Sequence, residues 1–143
     1  MGIRWKSWLR AGLLAGLVIS LGGSLLAHNV LGRAYVAAYR SHMVNPLPLG
    51  PTIALNLAIR FAFGLLGMFL YVAFRPRFGP GPGTAALAGL ALAAGTYLPT
   101  LLLLAQFGIL TGPQALVAAA WSVAEAVLAC LAGAWVYREP GAA

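Results

Sequence analysis

Acidic residues are almost absent from this chain. There is no aspartate, and the two glutamates, Glu125 and Glu139, stand against nine lysines and arginines. Paired carboxylates for acid–base hydrolysis are therefore missing. The single cysteine, Cys130, excludes an intrachain disulfide framework and a cysteine-based zinc cluster. CxxC, HExxH and GxSxG motifs are missing too, as is a phosphate-cradling glycine loop ending in lysine. The glycine-rich stretch at 79–83 is broken by prolines, which remove the N–H donors that phosphate binding needs. Hydrolysis and phosphoryl transfer are disfavoured, and the expectation is a non-enzyme with no catalytic residue, no metal site and no resident cofactor.

Charge of either sign is scarce. Only 8% of residues are charged, 62% are hydrophobic and the mean hydropathy is +0.90, whereas an ordinary soluble domain carries about 25% charged residues. Too little polar surface remains to cover a water-facing globule, so the chain belongs in a membrane. The formal charge of +7 comes from basic residues scattered in ones, twos and threes beside apolar runs. That pattern suits anionic lipid headgroups and not nucleic acid.

Four apolar runs are each long enough for a span of roughly 20 residues. They predict an all-α integral membrane bundle, a single domain over 1–143, with helices at about 9–31, 52–74, 84–107 and 113–137. The first run exceeds the roughly 7–15-residue core of a secretory signal and lacks its small-residue cleavage site, so it reads as a retained span. Pro46, Pro48 and Pro51 close the first connection, whose opening part at 32–39 suits an interfacial helix. The alternating Pro and Gly of 75–83 deny helix and sheet alike and predict a tight connector. Pro99 frees the carbonyl of Gly95 and predicts a kink in the third span. Residues 108–112 form the last turn, and Pro113 opens the fourth helix.

Orientation follows from lysine and arginine in short loops. Arg4, Lys6, Arg10, Arg75, Arg77 and Arg138 fall on the side of the N-terminus, and Arg33 and Arg40 on the other. Both termini are therefore expected in the cytoplasm. Trp5, Trp8, Trp135 and Tyr137 at that face, and Tyr35 and Tyr39 opposite, match aromatic belts.

Glu125 is the only acid inside a span. At 1.5 Å rise per residue it lies about 18 Å below the outer end of its helix, and Arg60 lies about 12 Å deep on the second helix. Each charge alone is costly in hydrocarbon, which predicts an intramembrane Arg60–Glu125 pair between the second and fourth helices. Such a pair serves as a structural register or, less readily, as a proton or cation relay, since a paired carboxylate is held ionised. On the first helix Gly12, Gly16, Ser20, Ser24 and His28 recur every fourth residue and predict a packing face with hydroxyls offered to a neighbour. His28 ends that stripe near the outer boundary and reads chiefly as a satisfied interfacial histidine, a lone imidazole being a weak metal signal. Asn56, one turn above Arg60, is expected opposite Ser122 and Glu125, with Thr96, Tyr97 and Thr100 at similar depth around Pro99. The candidate site is this outer half, bounded by His28, Asn56, Arg60, Tyr97, Ser122 and Glu125.

The run Arg75-Pro76-Arg77-Phe78-Gly79-Pro80-Gly81-Pro82, the following Thr84-Ala85-Ala86-Leu87-Ala88-Gly89-Leu90 and the ending Gly133-Ala134-Trp135-Val136-Tyr137-Arg138-Glu139 resemble a group of small uncharacterised bacterial four-transmembrane-helix membrane proteins. The resemblance covers mainly the second half. It implies a multi-pass place in the bacterial inner membrane and carries over no activity. Gly, Ala and Ser-rich faces beyond the needs of a lone bundle favour a non-catalytic accessory or scaffolding subunit of a larger membrane complex. Its partners would be membrane lipids and other membrane subunits or further copies of itself. The alternatives are a small oligomeric transporter or channel using Glu125, and a binder of lipid, quinone or pigment near His28 and Tyr97.

Overall fold

The computed structural model describes residues 4–42 and 47–137. Pro46, Arg138, Glu139 and Pro140 lie outside the described residues, as does the side chain of Tyr39. Helix α1 (Trp5–Leu25) runs into a π-helical turn, Leu26–Val30; α2 (Gly32–Ser41) follows, then α3 (Leu49–Phe78). Helix α4 (Pro82–Leu92), a second π-helical turn (Ala93–Tyr97) and α5 (Leu98–Gln106) together make one continuous rod, and α6 (Gly112–Val136) completes the chain. The described residues contain no strand. Four helical stretches among them are long and apolar enough to cross a membrane: Trp5–Val30, Leu49–Phe78, Pro82–Gln106 and Gly112–Val136.

Two proline readings change. The second span starts at Leu49 because Pro51 falls in the first turn, where its missing N–H would be unsatisfied in any case. At the other end the helix passes through Pro76 and stops only at Gly79, whose φ of 77° is one that L side chains rarely adopt and glycine tolerates. Pro76 removes a single intrahelical bond in the last turns. Meanwhile Arg75 stacks at 5.6 Å over Tyr71 and at 5.4 Å over Tyr137, and Phe74 meets Phe78 edge-on at 6.1 Å. The connector thus shortens to Gly79-Pro80-Gly81, with Pro82 as the first residue of α4. At the last turn, Gln114 Oε1 accepts from the Thr111 backbone N–H at 2.9 Å and from its hydroxyl at 3.0 Å, which fixes the start of α6.

Helix α1 packs against α3 and α6, and α4 packs against α6 and α3, so the spans follow one another around the bundle. Ala11 lies by Gly133 and Gly22 by Glu125, so α1 and α6 are antiparallel. Gly12 lies by Leu65 and Gly16 by Phe61, so α1 and α3 are antiparallel as well. The first turn of α1 and the last turns of α3 and α6 consequently share one end, with Trp5, Trp8, Arg75 and Tyr137.

Packing is uneven along the bundle axis. Near that shared end the core is built on small residues, Ala11, Ala15, Ala85, Ala88 and Ala129, around Ile19, Met68 and Leu92. The closest approach is at Gly64, where an added methyl would fall on the backbone of Gly12 and Gly16, 2.6 Å from Gly16 Cα. Toward the other end the helices part. Both π-helical turns lie in this half; α5 keeps to α6, and residues 53–59 of α3 are all exposed. The π turn before Pro99 is the form the kink takes: Leu98 N–H reaches the carbonyl of Ala93, so the extra residue per turn absorbs the break before the proline.

Candidate functional site

The parting of the helices leaves a cavity of about 370 Å³ between α1, α3, α5 and α6. Its apolar wall includes Leu26, Ile59, Phe63 and Leu101, and its polar wall includes Asn56, Arg60, Ser122 and Glu125. Phe63 and Tyr97, in edge-on contact at 5.4 Å, bridge α3 and the second π turn at its floor. Exposed Asn56, Ile59 and Thr100 rim it. Both π-helical turns contribute to the lining, through Leu26 and Ala27 on one side and Tyr97 on the other. Such turns re-aim side chains without ending a helix, and they recur at functional sites.

Glycines hold the two charges in place. Arg60 Nη1 donates to the Ile19 carbonyl at 2.9 Å, and the guanidinium lies so close to Gly23 that any Cβ there would collide with it. Glu125 presses in the same way against Gly22. One carboxylate oxygen accepts from Tyr97 Oη at 3.5 Å, the other from Trp121 Nε1 at 3.3 Å. Trp121 Nε1 also lies 3.1 Å from the Gly22 carbonyl. Consecutive glycines of α1 therefore back the two opposite charges. Arg60 and Glu125 reach one cavity, but no nitrogen–oxygen contact of 4.0 Å or less joins them among the described residues. In place of the direct pair expected from sequence, each has partners of its own. Rise along a helix sets the depth of a side chain, whereas its direction around the helix decides which partner it meets.

The other sequence candidates divide. Ser122 is 5% exposed, lines the cavity and has no hydrogen-bond partner among the described residues. Asn56 lines it as well, while donating to the Thr52 carbonyl at 3.2 Å. His28 is not part of it. Its Nδ1 donates to the Ser24 carbonyl at 3.0 Å, and its ring lines a separate groove of about 450 Å³ with Arg33, Val36 and Arg40 of α2. A site built jointly on His28 and Tyr97 is thus not assembled. The stripe on α1 packs as a face through Gly12, Gly16 and buried Ser20. Its hydroxyls turn back on their own helix, Ser20 to the Gly16 carbonyl and Ser24 to the Ser20 carbonyl, both at 2.8 Å, because an i−4 carbonyl is always within reach. Thr96 and Thr100 do the same at 2.6 Å and 2.8 Å.

Sequence reasoning missed Trp121, Gly22, Gly23 and Phe63. Trp121 precedes Glu125 by four residues and so shares its helix face; the glycine pair interrupts a leucine-rich run. No cluster of three or more histidine, cysteine or acidic side chains is found among the described residues. No family model, no curated protein and no solved structure matches this chain.

Proposed function

We propose that the chain is a multi-pass protein of the bacterial inner membrane, with both ends cytoplasmic, and that it binds an amphipathic membrane molecule without transforming it. The observation that carries this reading is the cavity itself. It is largely apolar with a few convergent polar groups, has opposite charges on its wall, and opens in the part of the bundle where the helices diverge. Sites of this kind, largely apolar with a few convergent polar groups, are the usual form of small-molecule pockets. The orientation rests on Arg4, Lys6, Arg10, Arg75 and Arg77 at one end against Arg33 and Arg40 at the other.

An accessory or scaffolding role loses part of its motive in the packing. The glycines once available for partner helices are used inside the bundle: Gly12, Gly16 and Gly64 between α1 and α3, Gly89 against α6, Gly133 against Met68 and α1. Docking onto other subunits then falls to exposed leucines such as Leu9, Leu13, Leu17, Leu21 and Leu25, which lipid covers equally well.

Native mass spectrometry of the protein solubilised in mild detergent tests the proposal. The expected result is a retained adduct of lipid or quinone mass that Arg60→Met removes while the helical content is kept. A protein with no retained small molecule overturns it. Recovery with stoichiometric partner chains would favour the subunit reading, and flux lost in Glu125→Gln would favour a transporter.

A further inference from the structure

The cavity wall holds three polar groups with unmet hydrogen-bonding capacity. A guanidinium has five N–H donors, and the described residues supply Arg60 with one acceptor, the Ile19 carbonyl at 2.9 Å. The Glu125 carboxylate receives only the two long contacts of 3.5 Å and 3.3 Å, against about 2.7–2.9 Å for a charge-assisted bond. Ser122, more than nine-tenths buried, offers a hydroxyl with no partner among the described residues. Unmet donors and acceptors of opposite charge in one partly apolar cavity are expensive to leave so. An anion on Arg60 alone would leave Glu125 uncompensated, and a cation on Glu125 alone would leave Arg60. A group that carries both signs, a few bonds apart, answers both.

Building on the amphiphile-binding reading, we propose that the cavity takes a zwitterionic headgroup of the phosphoethanolamine type. Its phosphate lies on the free N–H edge of Arg60. Its primary ammonium donates to Glu125 and Ser122, beside the faces of Phe63 and Tyr97, whose π systems favour a cation. Attached chains follow Leu26, Ile59 and Leu101 out through the gap between α3 and α5. Net neutrality of the ligand matches net neutrality of the two wall charges, so that binding desolvates no uncompensated ion.

The test is competitive lipid retention, read by native mass spectrometry on the full chain. Detergent-solubilised protein is exchanged into equal mole fractions of dioleoyl phosphatidylethanolamine and dioleoyl phosphatidylglycerol, and separately of phosphatidylethanolamine and phosphatidylcholine. The expected outcome is a preference of about tenfold for the ethanolamine lipid over phosphatidylglycerol, the worth of one charge-assisted hydrogen bond. A smaller preference over phosphatidylcholine is expected, because N-methylation removes the ammonium donors. Glu125→Gln is expected to erase the discrimination against phosphatidylglycerol. The wild-type comparison needs no variant, so a folding defect in Glu125→Gln does not blunt it. Soluble phosphoethanolamine distinguishes the source: displacement of the lipid assigns recognition to the headgroup alone, and failure to displace assigns it to headgroup and chains together. Equal or greater retention of phosphatidylglycerol overturns the zwitterion proposal and leaves amphiphile binding standing. Retention of no lipid at all overturns both.

Discussion

The closest backbone contact in the bundle gives the sharpest stability test. In Gly64→Ala the new methyl carbon would lie 2.6 Å from Gly16 Cα and on top of Gly16 N and Gly12 O. Carbon atoms prefer about 3.5–4.0 Å, so α1 and α3 must part locally by roughly 1 Å. Parting loosens the adjoining contacts of Gly12 with Leu65 and of Gly16 with Phe61. Overpacking of this kind costs about 1–3 kcal/mol, and the better helix propensity of alanine returns at most about 1 kcal/mol of it. The expected net loss is about 1–2 kcal/mol. Gly83→Ala is the internal control, because a methyl there meets nothing within 4 Å; it is expected to be neutral or stabilising by up to about 1 kcal/mol. Both are measured by titrating micelle-bound protein with sodium dodecyl sulfate and following helical circular dichroism. A Gly64→Ala variant as stable as Gly83→Ala would refute the reasoning, since it would mean that the two backbones are not in contact.

Three further outcomes are expected. Trp121→Phe loses the donor to the Gly22 carbonyl and to Glu125 and should cost about 1–3 kcal/mol in the same titration; no change would mean that the indole does not anchor the carboxylate. Gly23→Ala places a methyl on the Arg60 guanidinium and should abolish ligand retention in native mass spectrometry, with only a small loss of stability because the alanine core lies elsewhere; full retention would argue against Arg60 as a binding group. In intact cells a membrane-impermeant maleimide should leave the wild-type protein unlabelled, because Cys130 is buried, and should label Arg33→Cys but not Lys6→Cys. Labelling of both from outside would contradict the proposed topology.

The four long apolar helical stretches are legible in the sequence because their physics is one-dimensional: an apolar run of sufficient length is recognised without knowing its neighbours. Helix ends are less so. Pro76 reads as a breaker, yet a proline in the last turns removes only one bond, and the stacking of Arg75 on two tyrosines is invisible without the fold. The candidate site is half legible. Depth along the helix brings Arg60, Ser122 and Glu125 to within about 6 Å of one another along the bundle axis, and they share a wall. Direction around the helix is not given by depth, and the π turn at Leu26–Val30 shifts the face that a strict four-residue spacing assigns to His28. Partners such as the Ile19 carbonyl and Trp121 follow from how α1 lies against α3 and α6, a tertiary fact that no spacing encodes.

On the proposed function, the gap between α3 and α5 holds the polar end of a membrane molecule. Nuclear Overhauser contacts measured on the protein in lipid nanodiscs test it most directly. Contacts are expected from ligand protons to the side chains of Ile59, Phe63 and Leu101, with Arg60 and Glu125 kept apart. Ligand-free spectra with α5 closed onto α3 and the Arg60 guanidinium lying on the Glu125 carboxylate would contradict it.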